Sequence, residues 1–219
     1  IAFHSYLNQL LFQPGSILTQ SGSYFQVFSQ FRRICYNRLH MALPQILAAP
    51  EAQAPLNIKS DPIPASVEGF ATPDDALRAL WPAGEEEALA RLERFTNEHI
   101  HSYKDERDLP AKPGTSQLSA YLAAGVISPR QCLHAALMSN NGEFESGSPG
   151  AFTWVTELLW REFYKHILVG YPRVSRHRAF RPETEFMPWR DAPEELAAWK
   201  EGRTGFPIID AAMRQLRAT

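Results

Sequence analysis

One segment of this sequence combines two indoles with charged groups at helical spacing. At about 100° per residue in an α-helix, five side chains fall within about a third of the circumference: Trp154, Glu157, Trp160, Arg161 and Tyr164. Burying Glu and Arg is costly unless they are paired, whereas large aromatic rings beside them suit a planar ligand with polar edges. The pattern alone leaves two interpretations open, a ligand-binding face or a salt-bridged helix whose tryptophans fill the core.

A second segment is suited to phosphate. Gly114 precedes a run of hydroxyl, amide and apolar residues that begins a predicted helix: Thr115, Ser116, Gln117, Leu118 and Ser119. Glycine permits a close backbone approach, and hydroxyls beside the free N–H groups of a helix N-terminus bind anions. The same residues would also serve as a simple helix cap. No lysine follows them as in a Walker loop.

Two charged stretches have a functional and a plain interpretation each. Tyr103 and Arg107 lie in a charged run that is either a solvated helix end or a place where Tyr103 contacts a ligand and Arg107 a phosphate. Further on, five basic residues cluster between prolines: Arg173, Arg176, His177, Arg178 and Arg181. They are either a solvated loop or a contact to a phosphate backbone.

Composition limits the classes of partner. The chain has 219 residues, 44% hydrophobic, and a net charge of −2, so any DNA binding must come from a local patch. Cys35 and Cys132 stand apart from any Cys/His cluster, and we expect no metal site. Apolar runs fall short of the roughly 20 residues that cross a bilayer, and we expect no membrane partner. Because the chain begins at Ile1 and ends at Thr219 inside a predicted helix, we expect an internal fragment.

The elements that must position these residues are mostly helices. Residues 1–45 resemble the edge of an α/β region, with a helix over 24–39 capped by Ser23. Frequent prolines predict an extended linker over 46–83. From residue 84 to 219 the pattern predicts helices at 85–101, 115–124, 129–138, 152–169, 194–200 and 208–216. The expected fold class is therefore mainly α.

Several motifs together resemble the photolyase/cryptochrome family. They are Tyr103 with Arg107 and Asp108, residues 114–119, residues 125–130, the run WVTELLWREFY at 154–164 and the run GFPIIDAAMR at 205–214. Their order and spacing agree with the family throughout, and the resemblance covers nearly the whole chain. It is strongest to bacterial class I cyclobutane pyrimidine dimer photolyases.

The resemblance implies a two-domain parent protein. Residues 1–45 would end an N-terminal α/β domain whose antenna chromophore, a folate or a deazaflavin, binds mostly outside this chain. Residues 46–83 would be the interdomain linker. Residues 84–219 would be the first part of a helical domain that binds FAD and DNA.

The resemblance also implies roles for individual residues. The FAD-binding positions would be Tyr103, Thr115, Ser116, Gln117, Leu118, Ser119, Trp154 and Arg161. The DNA-binding positions would be Arg107, Glu157, Trp160, Arg161 and Tyr164. Glu157 and Trp160 would be the catalytic pair, with the carboxylate bonded to a flipped pyrimidine dimer and the indole packed against it.

The implied activity is that of a carbon–carbon lyase in the bacterial cytosol. Reduced, anionic FAD would use blue light to split cyclobutane dimers in damaged DNA, in a monomeric parent. We expect the isolated chain to be inactive and to bind FAD poorly, because a tryptophan of the flavin-reducing chain and further FAD ligands are expected beyond Thr219. The alternatives are a cryptochrome-type flavin photoreceptor, and a helical DNA-binding module without a cofactor.

Overall fold

The computed structural model describes residues 3, 4, 6–55 and 57–219, and it is predominantly helical. The described residues form nine α-helices: α1 (Phe28–Met41), α2 (Asp75–Leu80), α3 (Glu85–Glu98), α4 (Tyr103–Glu106), α5 (Ser119–Ala124), α6 (Pro129–Ser139), α7 (Pro149–Gly170), α8 (Pro193–Lys200) and α9 (Pro207–Ala218). Short 3₁₀ turns occur at Val174–Arg176 and Pro182–Thr184. The prediction of a mainly α fold is confirmed.

The chain divides into two compact units. The first comprises residues 1–52 and 84–180, and the second comprises residues 53–83 and 181–219. The predicted boundaries at 45 and 83, which would assign segments to domains of a larger protein, stay a prediction. Residues 1, 2, 5 and 56 of the predicted α/β edge and linker lie outside the described residues.

Helix α7 is the centre of the first unit. It packs against α1, α4 and α6, and α6 in turn contacts α3. Val155 and Leu159 on α7 are buried, as are Phe31 of α1 and Leu133 of α6. A Cβ at Gly150 would lie 2.1 Å from the carbonyl oxygen of Ile100. Glycine at this position therefore lets the first turn of α7 approach the backbone between α3 and α4.

The N-terminal helix begins later than predicted. Residues 18 and 24 form an antiparallel bridge, and the Thr19 N–H donates to the Ser23 carbonyl (2.8 Å). This hairpin-like turn keeps Tyr24 extended, so α1 begins at Phe28 instead of residue 24, and Ser23 is part of the turn rather than the cap. The predicted start of α6 is confirmed, since Ser128 and Gln131 form a capping box ahead of Pro129.

Two further differences concern short helices. Gln117 has φ 51°, in the left-handed region, so residues 115–118 form a loop and α5 begins only at Ser119. Helix α2 lies inside the stretch predicted as an extended linker. It is started by the Asp74 side chain, which accepts from the Leu77 N–H (2.8 Å). Its residues are exposed or half-buried, so it lacks the apolar periodicity that sequence analysis relies on.

In the second unit, α9 follows a tight turn held by one carboxylate. Asp210 accepts hydrogen bonds from the Thr204 N–H (2.7 Å), the Thr204 hydroxyl (2.7 Å) and the Gly205 N–H (3.0 Å). Arg214 Nη1 donates to the Gly202 carbonyl (3.1 Å).

Across the helices built from described residues, no span has the length and hydropathy needed to traverse a bilayer. The described part of the chain contains no group of three His, Cys, Asp or Glu side chains suited to a metal.

Candidate functional site

The site is built where the short helix α4 packs on the middle of α7. Arg107, which caps the C-terminal end of α4, donates from Nη1 to Glu157 Oε1 (2.5 Å). The Arg107 side chain is 32% exposed and the Glu157 side chain 38%. The hydrogen bond to Glu157 raises the pKa of Arg107. The Arg107 guanidinium also lies 5.8 Å from the centroid of the Tyr103 ring. Arg107 and Glu157 therefore meet on a half-exposed surface, and the buried Tyr103 ring lies next to them.

A line of buried rings lies beneath this surface. Trp154 and Tyr103, both predicted to contact the cofactor, each pack against Phe95 of α3, with centroid distances of 4.9 Å and 5.7 Å. Trp154 is 4% exposed and Tyr103 9%. Burial raises the pKa of the Tyr103 hydroxyl, and the negative charge of Glu157 adds to the shift. Phe95, which the sequence analysis did not select, thus contacts both predicted cofactor residues.

Phe95 also lines a small cavity between α3 and the loop that precedes α5. The cavity has a volume of about 110 Å³. Its polar lining combines basic groups with hydroxyls and one amide: Arg91, Arg94, His99, Thr115, Ser116 and Gln117. The loop comes this close because Gly114 packs against α4, where a Cβ would lie 2.6 Å from Glu106 Cβ. Cationic side chains facing hydroxyls make this cavity suited to an anion such as phosphate.

The five residues of the predicted phosphate segment are not equivalent. Thr115, Gln117 and Ser119 are exposed and Ser116 is half-buried. Gln117 Oε1 accepts from Arg91 Nη1 (3.2 Å), which fixes the loop to α3. Leu118 is 1% exposed, so only its backbone is available to a ligand. The predicted phosphate segment is therefore a loop held against α3, instead of the start of a helix at Thr115 that the sequence predicted.

Trp160 and Tyr164 continue the surface along α7. Trp160 is half-buried and Tyr164 is 59% exposed. Their ring centroids lie 5.6 Å apart with planes inclined at 21°. Trp160 also stacks on Phe28 of α1, a residue that the sequence analysis did not select. Glu157 and Trp160, the predicted catalytic pair, thus occupy successive turns of one helix and are both partly accessible to solvent.

Arg161 has a different environment from the other predicted residues. Its guanidinium donates to two backbone carbonyls, that of Gln9 (2.5 Å) and that of Leu122 (3.2 Å). These contacts join α7 to the N-terminal segment and to α5. The predicted contacts of Arg161 to FAD and DNA stay predictions, and the geometry gives this residue a structural task.

The next residue, Glu162, was missed by the sequence analysis. It is 0% exposed and accepts hydrogen bonds from the backbone N–H groups of Leu11 (2.9 Å) and Phe12 (3.3 Å). Burial raises its pKa to about 7, although these two hydrogen bonds and the charge of Arg161 oppose the shift. A signal was present, because Glu162 lies on the face of α7 that carries Val155 and Leu159. An acid among such core positions indicates a specific partner.

The predicted basic cluster after α7 is divided between the two compact units. Arg176, His177 and Arg178 are exposed beside a 3₁₀ turn of the first unit, and Arg173 is half-buried. Arg181 belongs to the second unit. Contact of this loop with a phosphate backbone stays a prediction.

The fold and site together define a helical protein with a cavity suited to phosphate beside an aromatic and charged surface. Comparison with known proteins identifies its family. Residues 154–219 match the FAD binding domain of DNA photolyase. The chain is 37% identical over 212 residues to the deoxyribodipyrimidine photo-lyase of Escherichia coli (strain K12), covering 97% of this chain and 44% of the relative. It is 38% identical over 219 residues to the enzyme of that name from Neurospora crassa, covering 94% and 35%.

Solved structures agree with this result. A bacterial class III photolyase from Agrobacterium tumefaciens has a TM-score of 0.74 and 33% identity, with 95% of this chain and 43% of that chain covered. A cryptochrome from Synechocystis has a TM-score of 0.81 at 24% identity, covering 98% and 45%, and supports the fold alone. The chain belongs to the photolyase/cryptochrome family. It spans 44% of the length of the Escherichia coli relative.

Proposed function

We propose that the chain forms part of a light-driven, FAD-dependent carbon–carbon lyase that repairs cyclobutane pyrimidine dimers in DNA. The observation that carries this proposal is the half-exposed Arg107–Glu157 pair, with Tyr103 beneath it and Trp160 one turn along α7. The photo-lyase names of the relatives support it. We further propose that the full-length protein works as a monomer in the bacterial cytosol and uses a folate or deazaflavin antenna.

The first unit offers suitable groups for FAD. Thr115 and Ser116 present hydroxyls to a cavity that Arg91 and Arg94 also line, which fits the charge of a pyrophosphate. Tyr103 and Trp154, joined through Phe95, would hold the cofactor's aromatic parts. When bound, reduced anionic FAD supplies the electron that light transfers to the dimer, and the protein supplies position and electrostatics.

The lesion must leave the duplex to reach such a site, and a poorly stacked damaged pair is extruded at lower cost than an intact one. Trp160 can replace the lost stacking, since indoles bind bases through their faces. The Glu157 carboxylate can accept hydrogen bonds from a pyrimidine N–H. Both residues lie on the accessible side of α7, so one lesion can contact both.

Arg107 is available for a DNA phosphate because its present partner is weakly held. The Arg107–Glu157 pair is about one-third exposed, and such pairs contribute at most about 1 kcal/mol. A phosphate that approaches Arg107 can therefore replace the carboxylate at little cost. The exchange would free Glu157 for the lesion in the same step.

A repair assay on the full-length gene product tests the proposal. A duplex carrying one thymine dimer is illuminated with blue light, and intact thymines are counted per absorbed photon, with a dark sample as control. We expect light-dependent repair and flavin absorbance in the purified protein. Flavin without repair would indicate the cryptochrome alternative, and the absence of flavin would indicate the cofactor-free module. Either result overturns the proposal.

A further inference from the structure

We infer that Phe28 is a positioning residue that holds the plane of the Trp160 indole for stacking on a flipped pyrimidine. The inference rests on the proposed function and extends it to a residue of the N-terminal segment. Phe28 touches neither the lesion nor the cofactor in this account and acts through Trp160.

The two rings overlap almost completely. Their centroids lie 3.5 Å apart and their planes are inclined at only 11°, whereas most aromatic pairs in proteins are offset or edge-on at about 4.5–7 Å. Phe28 therefore covers one face of the indole. A pyrimidine that stacks on Trp160 has to use the opposite face, so Phe28 decides on which side the lesion lies.

Phe28 is itself anchored in the core. Its ring meets Phe163 of α7 at 5.8 Å with planes at 69°. Phe163 in turn meets Phe31, which is 1% exposed, at 5.4 Å. The ring that supports Trp160 thus packs against buried Phe163, which is itself held by buried Phe31. Tyr164, which also stacks beside Trp160, is 59% exposed and is therefore less firmly held than Phe28.

A fixed support matters because Trp160 is a half-buried side chain on a helix surface. Ordering such a side chain at the moment of binding reduces affinity, and holding it beforehand removes that cost. Phe28 provides this order from α1, an element that contributes no other group to the site. The same geometry fits a second role, here called a plug. In that role the Phe28 ring occupies the place where the base would stack on Trp160, and it has to move away before the base can bind. The two roles predict opposite effects of removing the ring.

The test compares four forms of the full-length gene product: wild type, Phe28→Leu, Phe28→Tyr and Phe25→Leu. Affinity is measured for a duplex with one thymine dimer and for the same duplex without damage, and thermal unfolding shows whether each variant is folded. Phe25 is the matched control, since it packs edge-on against Phe31 at 6.3 Å. We expect Phe28→Leu to lower the preference for the damaged duplex about 2- to 10-fold. Phe28→Tyr should restore the preference, and Phe25→Leu should leave it unchanged.

A second arm shows whether the effect passes through Trp160. In a Trp160→Ala background, Phe28→Leu should change the preference no further. A folded Phe28→Leu variant with wild-type preference would overturn the inference, and a tighter-binding one would show that Phe28 is a plug. If wild type itself shows no preference for damaged DNA, the proposed function fails and the inference fails with it.

Discussion

Two glutamates five residues apart on α7 have opposite surroundings. Glu157 is 38% exposed and bonded to the side chain of Arg107. Glu162 is 0% exposed and bonded to the backbone of residues 11 and 12. A side-chain partner at a half-open surface can be exchanged for a ligand, whereas separating a carboxylate from buried backbone donors leaves those donors unsatisfied at a large cost. Helix α7 therefore carries one glutamate, Glu157, whose partner a ligand can replace, and another, Glu162, whose partners belong permanently to the fold.

Two arginines, one on α7 and one on α6, bind the same N-terminal segment as Glu162. Arg161 donates to the Gln9 carbonyl (2.5 Å) and Arg130 to the Leu7 carbonyl (3.0 Å). With Glu162, they hold residues 7–12 through backbone atoms. Such contacts do not depend on the side chains of that segment, so its sequence can vary while its position is kept.

The largest expected effect is that of removing the buried acid. Glu162→Ala leaves two backbone N–H groups buried without an acceptor and should lower the free energy of unfolding by about 3–4 kcal/mol. Urea unfolding at pH 6 measures the change. Glu157→Ala is the matched variant and should cost at most about 1 kcal/mol. Equal losses for the two variants would remove the distinction between the two sides of α7.

The raised pKa of Glu162 predicts a pH dependence. Because the pKa of Glu162 is about 7 in the folded protein against an ordinary value of 4.5, the folded state holds a proton that the unfolded state releases. The resulting stability is complete below pH 4.5 and is lost as the pH rises through 7. Relative to Glu162→Gln, wild type should lose about 2–3 kcal/mol between pH 4.5 and 7.5. Parallel profiles for the two proteins would contradict this assignment.

Arg161→Ala should have an intermediate effect. It removes two charge-assisted hydrogen bonds to carbonyls and should lower the free energy of unfolding by about 1–2 kcal/mol. Arg161→Lys keeps the charge but loses the forked geometry and should recover only part of the loss. If Arg161→Ala instead keeps full stability and loses FAD or DNA affinity, the ligand role predicted from sequence is correct and the structural one is wrong.

The smallest effect on stability is expected at Arg107. Arg107→Ala should change the free energy of unfolding by less than about 1 kcal/mol. It should weaken binding to damaged and undamaged DNA alike and reduce the salt slope of log K by about 1. Titrations at several salt concentrations measure the slope. An unchanged slope would show that Arg107 binds no phosphate and serves only to pair with Glu157.

The sequence predicted the helices well where apolar periodicity was strong, as in α3, α6 and α7. It failed where a turn decided the boundary. Gln117 adopts a left-handed φ, which a glutamine in the sequence does not predict. The bridge at Tyr24 depends on pairing with Leu18, which the local sequence does not predict either. Helix α2 was missed because its side chains stay at the surface, where periodicity carries no signal.

The site was predictable only in part. Helical spacing placed Glu157 and Trp160 on one face, as the structure shows. Spacing could not show that Arg161 turns to the carbonyls of Gln9 and Leu122, nor that Phe28 covers Trp160. Those contacts join residues more than a hundred positions apart or on separate helices, and only the packed fold brings them together.

We propose that Glu157 of α7 binds the lesion while Glu162 of the same helix stabilises the fold. Repair yield per absorbed photon, measured for full-length Glu157→Gln at saturating dimer concentration, tests it most directly. We expect a yield about 3- to 10-fold below wild type, with the free energy of unfolding unchanged. A wild-type yield in this variant would contradict it.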